Sequence, residues 1–145
     1  MKSKLIHHNG ERTFALVFET GDEPMSSLSA FANELHLGGS HFTGIGAFSD
    51  VVLGYFNWDR KRYERIPVRE QVEVLSLAGD IAVADGESKV HAHVVVGKDD
   101  GTAHGGHLLE AHVRPTLELV LVESPVHLRR VPDAASGLPL IDLEA

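Results

Sequence analysis

Residues 13–19, TFALVFE, put Phe14, Leu16 and Phe18 on one side of an extended segment, which is the period-two pattern of a strand with one buried face. After Gly21 the period changes. Met25, Leu28, Ala32 and Leu35 recur at helical spacing and predict an amphipathic helix over 24–36. Asp22 is its expected N-cap, Pro24 lies in its first turn, and Gly38-Gly39 is its expected stop. The stretch 41–57, HFTGIGAFSDVVLGYFN, reads as two strand pieces. Its Gly44 and Gly46 mark a bulge or a close backbone approach. Further strands are predicted at 71–78, at 90–96, from about His104, and at 116–122 behind Pro115. Asp85-Gly86 and Asp99-Asp100-Gly101 are the turns between them. From Ser124 onward, Pro125, Pro132 and Pro139 predict an ordered wrap with a frayed end. One helix among seven or eight strands joined by short turns predicts an α+β fold with a mainly antiparallel sheet.

Composition narrows the chemistry. A chain of 145 residues with 43% hydrophobic and 23% charged residues is expected to form a single globular domain over 1–145. It contains no apolar run of membrane length and no basic-apolar leader, so a soluble protein without an export signal and without a membrane partner is expected. The absence of cysteine removes disulfides, thiolate metal sites and thiol nucleophiles, and fits a cytoplasmic location. Any metal must then be held by His, Asp or Glu. A net charge of −8 disfavours generic binding to DNA or another polyanion. One basic cluster, Arg60, Lys61, Arg62, Arg65 and Arg69, stands against that balance, diluted by Asp59, Glu64 and Glu70. It reads first as a solvated strand edge and second as a nucleic-acid contact.

No dinucleotide fingerprint or P-loop is present, and Ser76 and Ser88 lie outside any nucleophile elbow. Glu73 and Glu118 sit mid-strand between apolar residues and read as an exposed face or as partners of Arg114.

The segment VHAHVVVGKDDGTAHGGHLLE, residues 90–110, carries the strongest chemical signal. His91 and His93, two apart on a strand, leave the same face about 6–7 Å apart. A hairpin through Asp99-Asp100-Gly101 brings a third imidazole beside them. A two-residue loop would put His104 on the shared face, whereas a bulge at Gly105-Gly106 would restore His107. Three imidazoles suit Zn²⁺ and also Ni²⁺, Cu²⁺ or Fe²⁺, and leave the open position typical of a catalytic metal site. Glu110 is a candidate proton carrier or outer acceptor, but its odd offset from His107 on one strand turns it to the other face. The remaining histidines, His7, His8, His36, His41, His112 and His127, read as ordinary packing or surface groups.

The segments TGIGAFSDVVLGYF, EVLSLAGDIAV, VHAHVVV and GGHLLEAHVRPTLELVL, in that order and spacing, resemble the PPC (plants and prokaryotes conserved) domain over roughly residues 12–135, which leaves 136–145 as a tail. The resemblance implies a barrel-like fold related to acetolactate decarboxylase and a homotrimer. It also implies the ligand set His91, His93 and His107, in preference to His104; for that donor set zinc is the expected divalent metal. In plants the domain accompanies AT-hook motifs; here no Arg-Gly-Arg-Pro core occurs, so the minor-groove arm is missing. Glu70-Gln71 replaces the Gly-Arg of the plant partner-contact segment, and Val17 stands where the family often has arginine. The leading expectation is a metal-binding trimer with a small-molecule or enzymatic role, without an identified reaction. The alternatives are a DNA-binding or transcription-associated protein acting through the trimer, and a protein-interaction module.

Overall fold

The computed structural model describes residues 1–144. Its strands are β1 (Lys2–His8), β2 (Arg12–Glu19), β3 (Gly39–Asn57), β4 (Arg62–Val68), β5 (Val72–Ala84), β6 (Glu87–Gly97), β7 (Ala103–Glu123), β8 (Arg129–Pro132) and β9 (Pro139–Asp142), with helix α1 (Pro24–Glu34) between β2 and β3. All belong to one sheet, ordered β1-β2-β7-β3-β5-β8-β9, with β4 on β3 and with β6 bridging β5 and β7. Because β3 and β6 each pair with both β5 and β7, these four strands close on themselves. That closure produces the barrel-like core. The pairing is antiparallel throughout except where β8 meets β5 in parallel at Val83 and Arg129.

The alternating positions fill the interior. Phe14, Leu16 and Phe18 of β2 are buried, and meet Phe42, Phe48, Leu77, Leu117 and Leu121 in one core. Helix α1 closes it with Leu28, Phe31 and Ala32, and Phe31 meets Phe14 edge-on at 5.3 Å. Burying each such side chain contributes about 1.5–3 kcal/mol.

Several local expectations change. The N-cap is Glu23, whose carboxylate accepts from the backbone N–H groups of Met25 and Ser26; Asp22 instead accepts from Glu19 N–H and closes the preceding turn. The helix ends at Glu34, and the left-handed residue beyond it is His36, φ 54°. Gly38 and Gly39 serve packing, since a Cβ on Gly38 would lie 2.6 Å from the His127 ring. The region read as two strand pieces is one 19-residue strand, β3, that bends through bulges. At Gly44 the backbones of β3 and β7 approach so closely that a Cβ would lie 2.5 Å from Glu118 O. The strands expected at 104 and 116 are likewise one strand, β7, with Pro115 in its middle. A bulge there lets the ladder continue past a residue without an N–H. Strand β1 is exposed along its whole length, so no buried period announces it. The tail does wrap in order: β8 and β9 pair with each other around an Asp133–Ser136 turn.

Candidate metal centre

The β6–β7 hairpin decides which histidines meet. Lys98 N–H donates to Thr102 O at 2.9 Å, and Gly101 N–H donates to Lys98 O at 3.0 Å. Asp99, Asp100 and Gly101 therefore form a three-residue connection. Gly101 takes φ +81°, and the Asp100 carboxylate accepts from Thr102 N–H at 2.9 Å. An odd loop sets His93 directly opposite His107 and His104 opposite Val96. Since Val96 is buried in the core, His104 belongs to the other side of the ladder; it is exposed and lies 3.5 Å from the Thr102 hydroxyl. The β6–β7 register runs without a break through Gly105 and Gly106, so the parity comes from the loop and no bulge is needed there.

On the outer face of that hairpin the three rings converge. Centroids are 5.1 Å apart for His91 and His93, 5.2 Å for His91 and His107, and 5.3 Å for His93 and His107. One ring nitrogen from each lies within 4.8 Å of the others. Tyr63 of β4 stacks on His107 at 4.5 Å with a 26° interplanar angle. Gly54 makes room for it, since a Cβ at that position would lie 2.9 Å from the Tyr63 ring.

Asp80 of β5, paired in register with His91, lies 3.3 Å from its Nδ1. Arg130 of β8 donates to the other Asp80 oxygen at 2.5 Å and to Pro139 O at 3.0 Å. A carboxylate on one imidazole nitrogen orients the ring and frees the other nitrogen for a ligand.

The electrostatics favour neutral rings at His93 and His107. Burial, followed by repulsion from His91 and His93, pushes the His107 pKa down to about 4. Burial and then His91 lower that of His93. Burial pushes the Asp80 carboxyl up, but hydrogen bonds from His91 and Arg130 outweigh it and hold the group below the usual carboxylate range. Burial raises the Tyr63 phenol, which stays protonated. Nδ1 of His107 is buried without a hydrogen-bond partner. Leaving such a group unsatisfied costs about 1–3 kcal/mol. Three imidazoles, one with an unclaimed buried nitrogen, form a donor set that fits a borderline-soft divalent cation such as zinc.

The other predicted residues are placed differently. A bulge between Val52 and Leu53 takes up one residue of β7, so Glu110 shares the outer side with His107 despite its odd offset. Its carboxylate is engaged by Arg65 at 2.6 Å, and among the described residues it forms no hydrogen bond or ion pair with the three histidines. Within the basic cluster, Arg60 and Arg62 pair with Glu64, Lys98 holds Glu70, and Lys61 sits 3.5 Å above the Trp58 ring. Glu73 and Glu118 lie on an exposed strand face, without an ion pair to Arg114 among the described residues. His112 pairs with Asp50 at 2.9 Å, away from the site. Asp80, Tyr63 and Arg130 join the site without a motif that marks them in the sequence. A single carboxylate within residues 74–84 of β5 is the available signal for Asp80; nothing local marks the other two.

The family model described as the Plants and Prokaryotes Conserved (PCC) domain, also written PPC, matches residues 6–125. Among solved structures, a protein of Bacteroides thetaiotaomicron provisionally named DNA-binding is similar at 27% identity, with 99% of each chain covered and a TM-score of 0.88. A plant- and prokaryote-conserved protein of Pyrococcus horikoshii is 32% identical over 90% of this chain and 91% of its own, with a TM-score of 0.85. A protein of Archaeoglobus fulgidus named as metal-containing is 30% identical over 97% of this chain and 99% of its own, with a TM-score of 0.83. At the level of fold alone, α-acetolactate decarboxylase of Bacillus subtilis is similar at 12% identity and a TM-score of 0.56, with 76% of this chain and 51% of its own covered. No curated protein sequence matches. Among the described residues, no helix is long and apolar enough to cross a membrane.

Proposed function

The chain belongs to the Plants and Prokaryotes Conserved domain family, and from that premise we propose that it is a homotrimer holding one divalent cation, zinc, on His91, His93 and His107. One observation carries the reading: three imidazole nitrogens lie within 4.8 Å on one face, with a buried, unpartnered nitrogen among those rings. Asp80 and Arg130 act as positioning residues for His91. The metal-containing name of the Archaeoglobus relative agrees with this reading. A zinc ion with three protein ligands polarises a bound oxygen or lowers the pKa of bound water. That gives the site a small-molecule role in a domain spanning 1–145, placed in the cytoplasm.

Self-association is supported by a shallow apolar depression on the outer sheet face, lined by Val17, Ile45, Leu75 and Val120. Ile45 is 64% exposed and Leu75 54%. Side chains of this kind in one patch mark an interaction surface. Val17, in place of the family's arginine, makes this patch more apolar.

A DNA-binding reading draws on the Bacteroides relative's name and on Lys61 over exposed Trp58 at the β3–β4 tip. It is the weaker reading, because the neighbouring arginines are already paired with carboxylates and the chain carries −8.

Metal analysis of protein purified without a nickel column tests the main reading. One ion per chain is expected in the native protein and none in His93→Ala. Sub-stoichiometric metal that His93→Ala leaves unchanged would remove it.

A further inference from the structure

The family-matched residues end at 125, yet the chain continues over the histidine face. Strands β8 and β9 lie beyond that limit and line, with the His91 and His107 rings, a partly open cavity of about 330 Å³. That is the small end of the range for small-molecule sites. Its polar wall consists of His91, His107, Tyr63, Lys89 and Arg130, and Leu138 and Leu140 belong to its apolar wall. No carboxylate lines it. Each of its two cations is held by a carboxylate outside the wall, Arg130 by Asp80 and Lys89 by Glu87, both at 2.5 Å.

Arg130 is the buried cation of the pair, its side chain only 9% exposed. Asp80 and Pro139 O take up hydrogens from its two terminal nitrogens, while its Nε has no partner. A guanidinium carries five N–H donors and matches carboxylate oxygens in pairs. Its donors therefore exceed the acceptors the protein supplies. Tyr63 belongs to the same wall.

We infer that the segment 126–142 completes a cavity at the histidine centre for a small aliphatic carboxylate, with Arg130 drawing the carboxylate and Leu138 and Leu140 covering the alkyl group. The inference rests on the metal reading above: a cation on the three imidazoles adds positive charge beside the cavity and offers an open coordination position to a carboxylate oxygen. Phosphate fits less well, because its higher charge would meet a partly apolar wall.

The test uses full-length protein loaded with Co²⁺, whose absorption bands report its coordination. Isobutyrate is titrated against it, with the neutral isostere isobutyramide and inorganic phosphate in parallel. The expected result is one cobalt per chain, a saturable band shift with isobutyrate, and no saturation with isobutyramide. Leu140→Asp should weaken isobutyrate at least tenfold while cobalt still loads, and Arg130→Gln should weaken isobutyrate at least as much. Leu140 is 44% exposed, so its substitution spares the fold if Arg130→Gln does not. Cobalt that binds without any isobutyrate response, or with an equal response to isobutyramide, overturns the carboxylate cavity and leaves the metal centre standing. Tighter binding of phosphate than of isobutyrate also overturns it, in favour of an inorganic-anion site. Failure of cobalt to bind overturns the metal reading, and the cavity assignment falls with it.

Discussion

Replacing Asp80 by asparagine tests whether the histidine face is organised to hold a cation. The substitution keeps the shape and one carbonyl acceptor for His91 Nδ1, now 3.3 Å away, and removes the charge together with the oxygen that accepts from Arg130. Two consequences follow. His91 loses the charged partner that anchors its ring, a loss that typically weakens metal binding ten- to a hundredfold, or about 1.4–2.8 kcal/mol. Arg130, 91% removed from solvent and bonded to Asp80 at 2.5 Å, becomes an uncompensated cation beside the metal. Repulsion from it pushes the loss toward the upper end of that range. The double substitution Asp80→Asn/Arg130→Gln removes that second effect and should regain part of the affinity, so the two changes are not additive. The assay is competition for Zn²⁺ with a chromophoric chelator at neutral pH. Asp133→Asn serves as a control, because its carboxylate bonds Ser136 in the β8–β9 turn. Zinc affinity in Asp80→Asn within twofold of the unsubstituted protein would refute the reasoning, and so would a double variant weaker than Asp80→Asn alone.

Ile45→Glu puts a charge in the middle of the outer apolar patch and should convert a trimer to monomers, read as a threefold fall in mass by light scattering; an unchanged mass would move the interface elsewhere. Arg12 grips Glu123 through two 2.6 Å hydrogen bonds, which hold the Glu123 carboxyl below its ordinary value despite partial burial. Because the folded-state pKa is the lower one, this stabilisation is present above the ordinary carboxylate pKa of about 4.5 and disappears as pH falls through the folded value. Glu123→Gln should therefore cost roughly 1–2 kcal/mol in urea unfolding at pH 7 and much less near pH 3. Phe18→Ala, at a fully buried position between sheet and helix, should cost about 3–5 kcal/mol at any pH.

The sequence disclosed the layers of this fold well and the continuity of its strands poorly. Alternation in β2 and the helical period of α1 reflect burial on one side, and those elements appear where the pattern puts them. Strands β3 and β7 look broken in sequence because glycine and proline interrupt them, but in a closed sheet bulges absorb both residues and each strand runs on. The histidine face follows the same logic at finer scale. His91 and His93 share a side by spacing alone. The third ring depends on one residue of loop length, and an Asp-Asp-Gly connection has two closures of opposite parity. Asp100 chooses between them by capping Thr102, which commits Gly101 to the left-handed conformation and sets His107 against His93. Glu110 escapes a sequence reading for the complementary reason: the bulge at Val52 and Leu53 belongs to the pairing with β3, so nothing within β7 records it. Arg130 is further from view, since it reaches the site through a single parallel bridge between β8 and β5. Residues whose place depends on a partner strand are the ones that local pattern misses. Asp80, Tyr63 and Arg130 all approach the rings from strands other than the hairpin that carries them.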